Sequence, residues 1–192
     1  DMVSTIKDGN LVALSGIVGC GKTVTVRKIR QDLKKRNEIL VSSSMSVEKQ
    51  RVKLPTLIFA LFSDLMTDKK KSIPSKNEDR ERKLVELIKS KNKPVVLFVD
   101  EAHDLHHMTL KNLKQLQEVG QEANALLSIV LIGHPKLMIN LNRASLEEIG
   151  SRVLHIPMNG IQGAELYKCS DYYQIRHGLL GLKGTGVGRF KL

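Results

Sequence analysis

The chain is poor in aromatic residues and cysteine, and it lacks long apolar runs. It has no tryptophan, and aromatic residues make up 4% of its 192 residues. A protein that binds single-stranded nucleic acid by stacking bases on exposed rings is therefore not expected. Two cysteines, Cys20 and Cys169, are too few for a disulfide framework, so we expect a reducing, cytoplasmic location. No apolar run approaches the roughly 20 residues of a membrane span, and no secretory signal is visible.

Positive charge is the strongest bulk property of the chain. Lysine and arginine total 31 against 20 acidic residues, which gives a formal net charge of +11. This excess predicts a polyanionic partner, with nucleic acid ahead of an acidic membrane. Because aromatic residues are scarce, contact with the phosphates of duplex DNA is favoured over base stacking. An ordinary lysine-rich surface in contact with water is the alternative.

A glycine-rich motif lies near the start of the chain. The pattern G-x-x-x-x-G-K-[ST] is met by Gly16-Ile17-Val18-Gly19-Cys20-Gly21-Lys22-Thr23. The apolar run 11–14 precedes it, and a helical pattern follows it to residue 36. Strand, loop and helix in this order are typical of a phosphate-binding loop. A glycine-rich turn that binds nothing is the alternative.

The residue types of this motif suit a nucleoside triphosphate. Glycines allow successive backbone N–H groups to face an anion, and the helix N-terminus adds partial positive charge. Lys22 can reach the β- and γ-phosphates, and the Thr23 hydroxyl can ligate Mg²⁺. The predicted nucleotide-binding residues are Gly16, Ile17, Val18, Gly19, Cys20, Gly21, Lys22, Thr23 and Val24.

Apolar strands alternate with amphipathic helices along the first 158 residues. This order predicts an α/β fold of the P-loop NTPase type, a doubly wound, parallel five-stranded sheet flanked by helices. The predicted strands are 11–15, 38–41, 95–99, 126–132 and 153–156. The predicted helices are 1–9, 22–36, 54–66, 78–91, 109–119, 135–142 and 146–149. Within the second helix, the residues predicted to face inward are Val24, Val26, Ile29 and Leu33.

An acidic pair, Asp100 and Glu101, ends the most apolar strand. In a parallel sheet, that end faces the ligand crevice beside the phosphate loop. Asp100 is predicted to hold Mg²⁺ through water, opposite Thr23. Glu101 is predicted to orient and polarise the attacking water, so the sequence indicates hydrolysis as well as binding.

Histidines follow both this strand and the next one. His134 ends the fourth strand and is predicted to sense the γ-phosphate by a hydrogen bond. A loop histidine without a role is the alternative. His103, Asp104, His106 and His107 form a less favoured candidate metal cluster, in which His103 and His107 have the i, i+4 spacing that a helix needs for chelation.

An arginine precedes the last strand. Arg152 is predicted to reach the nucleotide of a neighbouring subunit as an arginine finger, which would stabilise transferred charge. Arg143 is the competing candidate, and a surface arginine without a role is the alternative.

These motifs in this order resemble an AAA+ ATPase. More narrowly, the chain resembles the ExeA-like ATPases, a group similar to the transposition ATPases TnsC, TniB and MuB. The likeness spans about residues 1–164. It rests on the phosphate loop and on Leu54–Phe62, Pro94–Leu105, Leu131–Leu137 and Glu147–Arg152.

The resemblance implies a homo-oligomer with ATP bound between subunits, and Mg²⁺ as the accompanying ion. It favours ATP over GTP, since no guanine-reading Asn-Lys-x-Asp stretch is present. Transposition members assemble on duplex DNA and license a transposase, and secretion members help to assemble an outer-membrane channel. The first function is preferred because of the net charge and the lack of a membrane segment, and the second is the alternative.

The chain is expected to divide into two parts. Residues 1–158 form the predicted ATPase domain. Residues 159–192 are a glycine-rich tail in place of the helical lid that the resemblance implies, and the tail is expected to be poorly ordered. A truncated or frame-shifted gene would explain such a tail. A nucleotide-binding remnant without turnover is therefore the third hypothesis.

Overall fold

The structure is a computed structural model, which describes residues 2–43, 53–66, 73–144 and 146–160. Its strands are β1 (Leu11–Gly16), β2 (Leu40–Ser43), β3 (Val95–Val99), β4 (Leu127–Gly133) and β5 (Leu154–Met158). Its helices are α1 (Met2–Lys7), α2 (Lys22–Arg36), α3 (Leu54–Leu65), α4 (Asn77–Ser90), α5 (His107–Glu122), α6 (Lys136–Leu141) and α7 (Glu147–Gly150), with a 3₁₀ helix at Ala102–Asp104. The chain divides into two units after Asn159, and these elements all belong to the first unit.

The strands form one parallel sheet in the order β2-β3-β4-β1-β5. The predicted α/β fold with a parallel five-stranded sheet is confirmed. Strand β4 lies between β1 and β3, so the loop after β1 and the acidic end of β3 are separated by the end of β4. This order places three loops side by side at one edge of the sheet.

Helices pack on both faces of the sheet and form one hydrophobic core on each face. Side chains that alternate along a buried strand point into these two cores. In β1, Leu11 and Ala13 pack in the larger core with α3, α4 and α5. Val12 and Leu14 pack in the smaller core with α1 and α2. Strands covered on both faces read as unbroken apolar runs, which is why the sequence pattern located the fully buried strands β1, β3 and β4 to within one residue.

Two residues, Val24 and Ser42, differ from the sequence-based expectations. Val24, predicted to face inward, is 64% exposed, because the first turn of α2 borders the phosphate loop. Strand β2 continues through Ser42, which was predicted to begin a loop; its buried hydroxyl donates a hydrogen bond to Asp64. Ser44 lies outside the described residues.

Helix α5 is longer than predicted at both ends. It begins at His107 and not at residue 109 as predicted, and the His106 ring accepts a hydrogen bond from the Met108 N–H. It also runs through Gly120, where a Cβ atom would lie 2.8 Å from the Ala125 carbonyl oxygen. Gly120 therefore permits close packing and does not end the helix.

Part of the expected organisation falls on residues that the structure does not describe. This applies to the predicted glycine-rich tail from residue 161 onward. Within the four described ranges, no helix combines the length and apolar content that crossing a bilayer requires.

Candidate functional site

The loop between β1 and α2 has the backbone conformation that its glycines permit. Gly19 and Gly21 have φ values of +84° and +90°, which L-residues rarely adopt. Gly16 is required for a different reason, because a Cβ atom there would lie 2.7 Å from the Met158 carbonyl oxygen and 2.5 Å from Cys20 Sγ. The loop is thus curled over the ends of β1 and β5, with Cys20 buried beneath it.

Lys22 is held close to this loop. Its ammonium group donates hydrogen bonds to the Gly16 carbonyl at 2.7 Å and to the Ile17 carbonyl at 2.8 Å. Thr23 follows in the first turn of α2 and is exposed. The loop therefore presents a cation and a hydroxyl beside the helix N-terminus, where an anion is favoured.

The acidic pair lies where the sequence predicted it, directly after β3. Asp100 is exposed, and its Oδ1 accepts a hydrogen bond from the Glu101 N–H at 2.9 Å. Glu101 has a φ of +52°, in the left-handed region that costs a non-glycine residue roughly 1–2 kcal/mol. Strained residues of this kind cluster at functional sites.

His103, in the 3₁₀ helix after the acidic pair, connects three segments. Its Nδ1 lies 3.4 Å from Glu101 Oε2 and accepts a hydrogen bond from the His134 N–H at 3.3 Å. Its carbonyl oxygen accepts a hydrogen bond from Asn140 of α6. Sequence reasoning considered His103 only as a metal ligand, because its partners lie more than 30 residues away in the chain.

His134 lies at the end of β4, between the loop and the acidic pair. Its own Nδ1 accepts a hydrogen bond from the Lys136 N–H at 3.3 Å. In the neutral ring this leaves Nε2 as the nitrogen that carries hydrogen. His134 can therefore donate a hydrogen bond to an anion.

These segments surround one cavity of about 590 Å³. Its lining from the loop and α2 is Val18, Gly19, Gly21, Lys22, Thr23 and Val24, and its lining from the ends of β3 and β4 is Asp100, Glu101, His103, Asp104 and His134. Phosphate-loop, acidic and histidine residues that are far apart in sequence are therefore brought together. Arg152 does not line this cavity.

A second, smaller cavity of about 190 Å³ shares Thr23 and Asp100 with the first. Arg27 and Arg30 of α2 also line it, and sequence reasoning gave neither a role beyond general positive charge. The available signal was their spacing: Arg27 is four residues after Thr23 and Arg30 is three after Arg27, and residues three and four apart share a helix face.

The candidate metal cluster around His103 does not have the geometry proposed for it. The 3₁₀ helix ends at Asp104 and α5 begins at His107, so His103 and His107 do not share one helix and the i, i+4 argument fails. Within the described ranges, no group of three or more His, Cys, Asp or Glu residues is placed to hold a metal ion.

The two candidate arginine fingers lie elsewhere on the surface. Arg152 follows α7, is exposed, and its Nη1 lies 3.6 Å from Glu118 Oε1 of α5. Arg143 lies beside a separate cavity with Asp104 and His106.

Comparison with known proteins agrees with the fold and the motifs. Residues 5–138 match the family described as an AAA domain. The general secretion pathway protein A of Aeromonas hydrophila is 29% identical over 152 residues, which cover 76% of this chain and 26% of that protein.

Two solved structures share the architecture. The ORC2 protein of Aeropyrum pernix, in ADPNP–ADP complexes, has a TM-score of 0.63 and 16% identity over 91% of this chain and 48% of that chain. Drosophila ORC bound to DNA has a TM-score of 0.67 and 22% identity, over 88% and 43% of the two chains. At these identities the likeness shows the fold alone, and this chain spans less than half the length of each protein.

Proposed function

Because this chain belongs to the AAA-domain family, we propose that it binds ATP with Mg²⁺ in the cavity at the end of β1 and hydrolyses it. The observation that carries the proposal is that this single cavity is lined by Lys22, Thr23, Asp100, Glu101 and His134. These residues come from three loops at the carboxyl ends of parallel strands, the edge where open α/β sheets bind ligands.

The residues present fit a triphosphate and its metal ion. The curled loop and the start of α2 would hold the phosphates, with Lys22 facing the β- and γ-phosphates. Thr23 and Asp100 offer the oxygen ligands that Mg²⁺ prefers, directly or through water. When bound there, Mg²⁺ would neutralise phosphate charge.

Glu101 is proposed to orient and polarise the attacking water. Its backbone is left-handed, its side chain lines the cavity, and its Oε2 lies 3.4 Å from His103 Nδ1. His134 is proposed to donate its Nε2 hydrogen to the γ-phosphate. These two residues would act on hydrolysis, whereas the loop would act on binding.

A homo-oligomer would complete the site. Arg152 does not line the cavity of its own chain, so the proposed arginine finger would act on the ATP of a neighbouring subunit. To do so it would leave the ion pair with Glu118, which is weak because Arg152 is exposed and the Nη1–Oε1 distance is 3.6 Å.

Duplex DNA is the proposed partner, in a regulator of the transposition type that would act on a transposase. The net charge of +11 supports this, and α2 carries much of it. Besides Lys22, the basic residues of α2 are Arg27, Lys28, Arg30, Lys34, Lys35 and Arg36. Drosophila ORC, which shares the fold, is itself bound to DNA.

A role in assembling a secretion system is the second candidate. The 29% identity with general secretion pathway protein A favours it. The third candidate is a nucleotide-binding protein without turnover. The three candidates share the site and differ in hydrolysis and in DNA dependence.

An ATPase assay on two variants tests the site. We expect Lys22→Ala to lose magnesium-ATP binding, because the loop loses its cation. We expect Glu101→Gln to bind magnesium-ATP normally and to hydrolyse it about 10²- to 10⁴-fold more slowly, as for loss of a general base. Normal ATP binding by Lys22→Ala would contradict the site.

The same assay with duplex DNA separates the candidates. The transposition-type function predicts DNA binding that tightens with ATP and weakens steeply with salt, because phosphate contacts release counterions. ATP hydrolysis without any response to DNA favours the secretion role. ATP binding without hydrolysis favours the third candidate.

A further inference from the structure

We propose that His103 is a positioning residue that couples the orientation of Glu101 to the end of strand β4. The proposal rests on the function proposed above, in which Glu101 orients the attacking water and His134 contacts the γ-phosphate. His103 itself touches neither nucleotide nor water in this account. It acts through Glu101.

One ring nitrogen faces two partners that need opposite chemistry. Nδ1 of His103 accepts a hydrogen bond from the His134 N–H at 3.3 Å, and Glu101 Oε2 lies 3.4 Å from the same atom. A backbone N–H requires a lone pair on Nδ1, whereas a carboxylate requires a hydrogen on it. Nδ1 carries one or the other, so it serves one partner at a time.

The surroundings of the other ring nitrogen, Nε2, favour the form in which Nδ1 accepts the hydrogen bond from the His134 N–H. Asp104 Oδ1 lies 3.7 Å from His103 Nε2, so a hydrogen on Nε2 faces a carboxylate. In that form Nδ1 has its lone pair and accepts from His134. The lone pair then also faces the Glu101 carboxylate, which is not held by His103.

The surrounding structure keeps the ring in this place. Gly133 precedes His134, and a Cβ atom on Gly133 would lie 3.1 Å from His103 Nδ1 and 3.2 Å from its backbone nitrogen. Asn140 Nδ2 donates a hydrogen bond to the His103 carbonyl oxygen at 3.2 Å. The side chain of His103 is 20% exposed. The His103 ring is therefore held close to both the His134 N–H and the Glu101 carboxylate.

This geometry would couple the contact between His134 and the γ-phosphate to the orientation of Glu101. If the end of β4 shifts when His134 contacts the γ-phosphate, the His134 N–H leaves Nδ1. The ring can then change tautomer through solvent: Nε2 gives its proton to water, Nδ1 takes one from water, and the new Nδ1–H donates to the Glu101 carboxylate. His103 would then orient the Glu101 carboxylate when a γ-phosphate is present.

Imidazole ¹⁵N spectra of the full chain test the contact without any hydrolysis. The His103 signals are identified by their loss in His103→Asn. Without nucleotide, we expect Nδ1 of His103 to have the shift of an unprotonated acceptor and to change in Glu101→Gln. The signals of His155, which pairs with Ser15 between β1 and β5, serve as the control and should not change. A His103 signal that ignores Glu101→Gln overturns the proposal.

Addition of a non-hydrolysable ATP analogue with Mg²⁺ tests the coupling. The expected result is a shift of His103 Nδ1 towards the N–H form. If the analogue binds and Nδ1 keeps its acceptor shift, the coupling is wrong. If the analogue does not bind at all, the proposed nucleotide site is wrong, and the spectra without nucleotide still decide the contact between His103 and Glu101.

Single-turnover kinetics test the consequence. We expect His103→Ala to slow hydrolysis roughly tenfold to a hundredfold with unchanged ATP affinity, as for loss of a group that orients a catalytic residue. His103→Asn keeps an acceptor near the Nδ1 position and should retain more of the rate. In the Glu101→Gln background, His103→Ala should cause no further loss, and an equal loss in both backgrounds contradicts action through Glu101.

Discussion

The two halves of the candidate site are built in different ways. The phosphate loop consists of consecutive residues, and its main contacts are local: Lys22 bonds to the carbonyl oxygens of Gly16 and Ile17. The acidic half is assembled from the segments 100–104 and 133–134 and from Asn140, and His103 joins them. Backbone conformation shapes the first half, whereas long-range side-chain contacts shape the second.

This difference predicts which substitutions should impair each half of the site. The loop should fail when a glycine conformation or a close backbone approach is blocked. The acidic half should fail when packing between β3, β4 and α6 changes, even at residues that do not line the cavity. Binding and hydrolysis should therefore respond to different substitutions.

Among the glycine and asparagine substitutions that test this comparison, the largest effect is expected from Gly16→Ala. The added methyl group would lie 2.7 Å from the Met158 carbonyl oxygen, so the loop or β5 must move. We expect ATP affinity to fall about tenfold to a hundredfold, the equivalent of the 1–3 kcal/mol typical of overpacking. Titration with a fluorescent ATP analogue measures this change.

Gly19→Ala is the matched control for that substitution. No atom lies within 4 Å of the added methyl group, so only the positive φ opposes it, at roughly 1–2 kcal/mol. If Gly19→Ala weakens ATP binding more than Gly16→Ala does, close packing against β5 is not what shapes the loop.

A smaller effect, on hydrolysis alone, is expected from Gly133→Ala. The methyl group would press on His103 at 3.1–3.2 Å, and a displacement of a few tenths of an ångström should slow hydrolysis roughly threefold to tenfold. ATP affinity should stay the same, because the loop is untouched. Single-turnover hydrolysis and equilibrium binding measure the two quantities separately.

Gly120→Ala is the control for Gly133→Ala, because it adds the same methyl group at a position away from the site. Its methyl group would meet the Ala125 carbonyl oxygen at 2.8 Å inside the packing of α5. It should lower stability to unfolding without slowing hydrolysis per folded molecule. Equal slowing by both variants would mean that Gly133→Ala acts through general destabilisation.

The smallest effect is expected from Asn140→Ala. The substitution removes one partly buried hydrogen bond to His103, which is worth about 1 kcal/mol of unfolding free energy. Hydrolysis should slow by no more than about threefold, because the His103 ring keeps its other contacts. Ser90→Ala, which removes a hydrogen bond at the end of α4, is the control and should leave hydrolysis unchanged.

Sequence patterns predicted the sheet well and the site only in part. Unbroken apolar runs identified β3 to the residue and β1 to within one residue. The prediction for Val24 was wrong because a helical period cannot tell which turn of α2 borders the loop. The predicted end of α5 at residue 119 was wrong, because the glycine that follows, Gly120, is required by packing and does not end the helix. His103 was classified by its spacing from other histidines, whereas its contacts are with residues brought close by folding.

The sequence by itself determined the phosphate loop, since glycine conformations, Lys22 and Thr23 follow from consecutive residues. It also determined the parallel α/β class, because strands buried on both faces have a recognisable composition. Only the tertiary structure decided that β4 lies between β1 and β3, and so that His134, His103 and Glu101 meet. Strand order depends on how helices pack on the two faces of the sheet, and no local pattern records it.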